Sequence, residues 1–450
     1  MNFDKLKASL RSYFEGGCGG FEVGPYEKTP PPGAWPDQRD CVLFRERVRE
    51  SIRQTRGIIQ CKNKDGKPLE GGYAALVEAR ARSNQRLVTV FGIDNAFTTY
   101  DAQRKIDFVV EVNDRVKNVS DEEWQGLANM ASYWALAKMY AKEESPKRLD
   151  LTDFVQFLTM KVSLHFLFGP DSAALRTEEG ENYISFIAKE INRLWLVSKA
   201  DPILEKWEDQ TYFHQALHYV TGSSDTRLSE DPHFTDSKEN PLNWILPAYE
   251  SMWRIVLTTV RQLYLNTDDR QHHLYAMLHF LKEPCKRTFR NQEKVCRVSA
   301  HHLIKECLRL YPPVRRIGRT LPENGGVKHV KADIRECQRN YLLADFEPDE
   351  FHPERWEHIE AQCQRSTNAK SLAESEEQLG FLPFGLSPFK CPAGKSSFAF
   401  RMIGVLAGAT LNALEDDGGR DWSESPDEVF DELGSGREEK NVLLWEFSYN

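Results

Sequence analysis

The chain has 450 residues, of which 40% are hydrophobic and 11% aromatic, and its formal net charge is −9. That is enough apolar material to close one large core or two to three ordinary ones. The acidic balance excludes the basic footprint of a nucleic-acid binder, and the polar opening MNFDKLKASLRSYFEGG lacks the apolar middle of a secretory signal.

No run of about 18 apolar residues occurs, so no transmembrane span is expected. A cytoplasmic chain is expected, with peripheral membrane contact left open. The nine cysteines, Cys18, Cys41, Cys61, Cys285, Cys296, Cys307, Cys337, Cys363 and Cys391, are odd in number and scattered. Without a C-x-x-C pair they argue against a zinc knuckle or an iron–sulfur cluster. Mostly free thiols in a reducing compartment are predicted.

In chain order, GGCGGFEVGPYEKTPPPGAWPDQ (16–38) reads as loop. CVLFRERVRESIRQTRGII (41–59) has helical spacing, and QRLVTVFGI (85–93) reads as a strand. From about 103 to 215 the pattern is mostly helical, for example at 122–140 and 151–169. The polar stretch 221–241 is a loop and the best internal joint, dividing 1–240 from 241–450. Apolar helices flank it, so one continuous core is favoured over two domains.

A long helix is predicted from about Leu242 to Leu265, with a kink or local opening at Pro247 because proline lacks a backbone donor and clashes with the preceding turn. Further helices are predicted at about 270–283 and 296–311. Turns and short strand follow over 313–350, then a second long helix from about Gly394 to Leu414. The acidic tail ends in a predicted strand, NVLLWEFS. The class is therefore mainly α with small β-sheets, in a single domain.

Three stretches carry chemistry. In LIKECLRLYPPVRRIGR (303–319), Glu306 and Arg309 share a helix face among Leu303, Ile304, Leu308 and Leu310. Alone this is an ordinary solvated pair. On an apolar helix it points to burial, and a buried pair needs further partners. Arg355, in the extended, rigid segment FEPDEFHPERW (346–356), offers a second guanidinium. In FLPFGLSPFKCPAG (381–394), Cys391 sits among Phe, Gly and Pro directly before an apolar helix. A core cysteine needs no such setting, whereas a metal-binding thiolate does.

E-C-L-R at 306–309, F-H-P-E-R-W at 351–356 and P-F-G-x-x-x-F-x-C-P-A at 383–393 occur in this order. Together they resemble the cytochrome P450 haem-thiolate monooxygenases, in the style of eukaryotic, fungal-type members. The resemblance covers residues 240–450; the first 240 match in length and helical character. It implies haem b, with Cys391 as the axial iron ligand and Phe384 and Gly385 shaping the loop around it. Phe389 stands where the family usually carries an arginine for a haem propionate, and Ser387 where it usually carries glycine. The resemblance moves the propionate contact to Arg316, with Arg315 and Arg319 as reserves. In the first half Arg104 and Lys105 are the basic residues to consider, or more loosely Trp134 with Lys138.

Ala248-Tyr249-Glu250-Ser251 resembles the family's small–x–acid–alcohol motif. It implies Ser251 as the alcohol that holds dioxygen and Glu250 as the acid that relays protons, with Ala248 giving room. The plain alternative is a solvent-facing acid beside a harmless serine. Monooxygenation requires NADPH electrons, and no G-x-G-x-x-G motif exists here, so a separate reductase is implied. It would dock where Lys390, Lys395 and Arg401 meet its acidic surface. The remaining partners are O2 and a small, largely apolar organic molecule, in secondary metabolism, acted on by a monomer. Three readings stay open: an oxygen-inserting enzyme, a haem-thiolate enzyme of another step such as cyclisation, dehydration or isomerisation, and a non-catalytic haem-binding protein.

Overall fold

The computed structural model describes residues 38–62, 67, 69–140, 148–169, 175–222, 234–265, 269–291, 298–323, 326–344, 347–365, 371–416, 422–424 and 442–445. The sequence expectations for 16–37, for 223–233 and for most of the tail lie outside these.

The first half is a succession of helices: α1 (Gln38–Ile59), α2 (Gly72–Arg82), α3 (Gln85–Phe91), α4 (Ala102–Lys117) and α5 (Asp121–Met139). After strand β1 (Arg148–Asp150) come α6 (Leu151–Phe168), α7 (Glu178–Val197) and α8 (Thr211–Thr221). Side chains set several starts. Ser120 accepts the Glu123 N–H while the Glu123 carboxylate accepts the Ser120 N–H, closing a capping box before α5. Asp101, Asp150 and Thr177 cap α4, α6 and α7 by accepting backbone N–H groups of the first turn.

The strand expected at 85–93 is a helix, α3. Leu87, Val90 and Phe91 are its buried residues, at helical rather than alternating spacing. The β-branched Val88, Thr89 and Val90 favour a strand only weakly, and packing of one helix face overrides them.

The single long helix expected over 242–265 is two helices, α9 (Leu242–Tyr249) and α10 (Met252–Tyr264), with a turn at Glu250-Ser251. Pro247 cannot donate to the carbonyl four residues back. That carbonyl, Asn243 O, instead accepts from the Asn95 side chain at 3.3 Å. Below the break, Ile255 N–H reaches Ser251 O only at 3.4 Å.

The second half continues with α11 (Arg270–Lys282), α12 (Lys286–Arg290) and α13 (Ala300–Leu310). A hairpin of β2 (Arg316–Glu323) and β3 (Gly326–Asp333) follows, antiparallel from Arg316↔Asp333 to Glu323↔Gly326. Asn324-Gly325, the strongest short hairpin pair, lies between the strands in sequence. Next come α14 (Ile334–Gln338), α15 (Tyr341–Ala344), α16 (Arg355–Arg365) and α17 (Leu372–Gln378). A single turn, α18 (Pro392–Lys395), precedes the long α19 (Phe398–Asp416). Strands β4 (Trp422–Glu424) and β5 (Val442–Trp445) pair with β1 in the order β1-β5-β4, all antiparallel.

One buried apolar cluster draws on residues from Leu87 to Trp422. Its centre is α19, packed against α5, α10 and α11, with α13 alongside. Every residue of α13 is buried, the charged Lys305, Glu306 and Arg309 included. Among the described residues α19 is also the one helix long and apolar enough to cross a membrane, and it is buried inside the protein.

Candidate functional site

The loop that carries Cys391 is built by backbone hydrogen bonds. Gly385 N–H donates to Leu382 O (3.0 Å), Phe389 N–H to Leu386 O (2.8 Å) and Cys391 N–H to Phe384 O (2.9 Å). Gly385 sits at φ +67°, a left-handed conformation that side chains resist. Gly394 serves a different need. A Cβ there would lie 2.4 Å from the Phe384 ring, so glycine lets the ring close on the loop. Phe384 then meets Phe400 edge-on at 5.0 Å.

Cys391 stands at the N-cap of α18 ahead of Pro392, and its sulfur makes no hydrogen bond to the first turn. Burial raises its thiol pKa; the backbone N–H dipoles of Gly394 and Ala393 and the charges of Arg80 and Lys395 pull it back down. The residue still has a large accessible surface. Crowding and accessibility are reconciled if its open side lines a recess of the protein.

Cations surround this loop. Arg80 of α2, Lys105 of α4 and Arg319 of β2 converge on the ring of Phe389, at 5.0, 5.5 and 5.0 Å from its centroid. Arg80 also lies over Phe97 at 4.6 Å. Lys105 donates to Tyr73 Oη (2.5 Å) and Pro388 O (3.1 Å). Arg319 donates to Ile59 O (3.1 Å), and its Nε finds no acceptor. No carboxylate lies within ion-pair reach of these three cations among the described residues. Burial and then the Arg319 charge lower the Arg80 pKa to about 9. Burial and then the Arg80 and Lys395 charges lower that of Lys105 to about 8. Buried Cys61, in a left-handed conformation at φ +57°, has its thiol pKa raised by burial, and the Arg319 charge pulls it back.

The sequence candidates fall differently from the expectation. Arg316 pairs with Asp333 at 2.9 Å on the hairpin and is 68% exposed, whereas the reserve Arg319 is buried and lies over the Phe389 ring. Arg104 is held by Asp94, through the carboxylate at 2.6 Å and the carbonyl at 2.7 Å; its neighbour Lys105 faces the loop instead. Lys138 stacks over Phe157 at 4.3 Å and Trp134 meets His165 edge-on. Arg401, expected as a docking charge, is buried and paired with Asp121 at 2.9 Å. Lys390 pairs with Glu377 at 2.5 Å, and Lys395 is exposed. Arg80 escaped notice, although it stands three residues after buried Val77 on one face of α2.

Glu250 and Ser251 occupy the turn between α9 and α10. Glu250 is buried and pairs with Arg254 at 3.1 Å, while Arg254 also donates to Pro313 O. Burial lowers the Arg254 pKa to about 10. Ser251 makes no cap hydrogen bond, and Ala248 packs against the main core.

Glu306, Arg309 and Arg355 are brought together. Arg309 donates to Glu306 through two nitrogens (2.9 and 2.8 Å), and Arg355 Nε adds a third contact at 3.1 Å. His352 N–H and Trp356 Nε1 complete the carboxylate at 3.0 Å each. Both Glu306 and Arg309 are 0% exposed. Arg309 also donates to Pro348 O and Glu350 O, fixing the segment before α16, which is a run of turns at 348–350 and 353–354 rather than the extended stretch expected.

No family model matches the chain, and no curated protein matches it. Among solved structures, a six-coordinated cytochrome P450 from Thermus thermophilus is similar at 16% identity and a TM-score of 0.49, over 84% of this chain and 88% of that one.

Proposed function

We propose that this protein is a haem-thiolate oxidoreductase of the cytochrome P450 type, formed as one domain and acting in the cytoplasm. One observation carries the reading. An exposed cysteine at a helix N-cap adjoins a loop whose Phe389 ring gathers buried Lys105 and Arg319 and half-buried Arg80, with no carboxylate partner among the described residues. Such a site suits a flat prosthetic group with a metal at its centre and carboxylates at its edge. Haem b meets both demands.

Bound there, haem supplies the redox and oxygen chemistry, and thiolate ligation favours O–O cleavage. The chain's own residues do the rest. Cys391 provides the sulfur, and the Ala393 and Gly394 N–H groups stabilise its charged form. Phe384, closed over Gly394, keeps water from that side. Arg80, Lys105 and Arg319 hold the carboxylates, on the Phe389 platform that replaces the usual arginine. Ser251, free of any cap hydrogen bond, orients a substrate oxygen or a water, and Glu250 passes protons when its pair with Arg254 opens.

The substrate class is a small, largely apolar organic molecule, oxidised by hydroxylation, epoxidation or coupling in secondary metabolism. Electrons come from NADPH through a separate reductase. The Glu250–Arg254 pair favours a second reading, in which the enzyme catalyses cyclisation, dehydration or isomerisation without inserting oxygen. Turnover with a reductase, NADPH and isotopic O2 separates the two. Label in the product is expected; turnover without label moves the assignment to the second reading. Purification with no bound haem, and no uptake of added haem, overturns both.

A further inference from the structure

A second constellation lies away from Cys391. Asp269 and His273 stand one turn apart at the start of α11, on the same face. Glu354 comes from the turn just before α16. One ligand atom from each of the three lies within 4.8 Å of the others. The graded burial, exposed Asp269, half-buried Glu354 and buried His273, gives a route in from solvent.

We propose that Asp269, His273 and Glu354 bind one divalent transition-metal ion, with zinc as the best fit. An imidazole with two carboxylates is a borderline donor set that suits zinc better than calcium or magnesium, which take oxygen ligands only. A tetrahedral zinc at about 2.0–2.2 Å from each ligand draws the donor atoms in to roughly 3.4 Å apart, within reach of the exposed Asp269 side chain. Two carboxylates and a neutral imidazole balance the doubly charged cation. The His273 ring is steadied edge-on by Phe351 at 5.7 Å. The neighbouring cation, Arg270, is engaged with Glu415 at 2.9 Å and stacked on Tyr264. His272 lies 3.7 Å from Asp269 and is the one other imidazole at the site among the described residues.

The ion's position gives it a task. It ties α11 to the segment whose Glu350 carbonyl and His352 N–H are held by Arg309 and Glu306. Bound zinc therefore braces that buried network from outside, and nothing in this step depends on haem.

The test uses the full-length protein, stripped with a chelator and titrated with zinc by calorimetry. Binding of one ion at micromolar or tighter affinity is expected. Glu354→Gln and Asp269→Asn, near-isosteric changes at partly exposed positions, should each weaken it by at least about tenfold. X-ray absorption at the zinc edge should show oxygen and nitrogen ligands with no sulfur. Affinity no better than millimolar, binding untouched by both variants, or sulfur in the zinc shell overturns the proposal.

Discussion

Two charged regions of this molecule obey opposite rules. Around Glu306 every charge has a hydrogen-bonded partner of opposite sign: one carboxylate receives two guanidinium groups, a backbone N–H and an indole N–H, all in a buried interior. Around Phe389 the charges share one sign, and three cations from three elements crowd an aromatic ring with no carboxylate among the described residues. The matched network is complete as it stands, so its work is to hold the segment before α16 against α13. Burial first, and then the neighbouring positive charges, push the pKa values of Arg80 and Lys105 down, at a cost in stability. An arriving anion would relieve such an arrangement, which is why we propose the second region as the binding site and the first as scaffold.

Mutations should separate the two. The largest effect is expected for Glu306→Gln, which leaves two buried guanidinium groups short of their carboxylate. A loss of about 3–5 kcal/mol in urea unfolding follows, as for other broken buried pairs. A loss below about 1 kcal/mol would show that the network is not the brace described here.

Arg80→Met should act in the reverse sense. Removing one of several like charges leaves the haem-free protein as stable or more so, while haem is lost at least about tenfold faster to an acceptor protein, the cost of one charged contact. Equal destabilisation with unchanged haem loss would make Arg80 scaffold too.

The pH dependence sharpens the comparison further. The folded state releases the Lys105 proton near 8, whereas the unfolded chain holds it to about 10.5. Between those values the unfolded state binds more protons, so stability of the haem-free protein rises with pH. The Lys105 contribution is at most about 1.4 kcal/mol per pH unit. The raised pKa values of Cys391 and Cys61 oppose it, because a folded state that keeps its protons longer loses stability as pH rises. The readout is therefore the difference between wild type and Lys105→Met, which should change steadily across pH 8 to 10.5 as the wild type gains stability relative to the variant. A constant difference would contradict the crowded-cation picture.

The smallest effect belongs far from both regions. Ser120→Ala removes the α5 capping box and should cost about 1 kcal/mol, with haem retention unchanged.

How much of this was legible follows from the distances along the chain. Glu306 and Arg309 are one turn apart, and Arg355 sits in a rigid proline-bounded segment, so local patterning pointed to their network. The Cys391 loop announced itself by composition. Pro247 signalled a kink, but not that the helix would break fully into α9 and α10, since that depends on where the freed carbonyl finds a donor. The cation cluster was only half visible. Lys105 and Arg319 were considered beside Arg104 and Arg316, but which of two neighbouring basic residues faces the loop is set by helix phase and strand register. Arg80 meets Arg319 across more than two hundred residues of sequence, through packing of α2 against β2, which no local pattern encodes. At α3 the opposite happened: helical spacing was present, and β-branched residues outweighed it in the reading.

The central claim is that the Cys391 sulfur ligates haem iron. The carbon monoxide difference spectrum of the reduced protein, recorded for wild type and Cys391→Ser, tests it most directly. The account predicts the red-shifted Soret band of a thiolate-ligated haem in the wild type and its loss in the variant. A wild type without that band, or a variant that keeps it, would contradict the account.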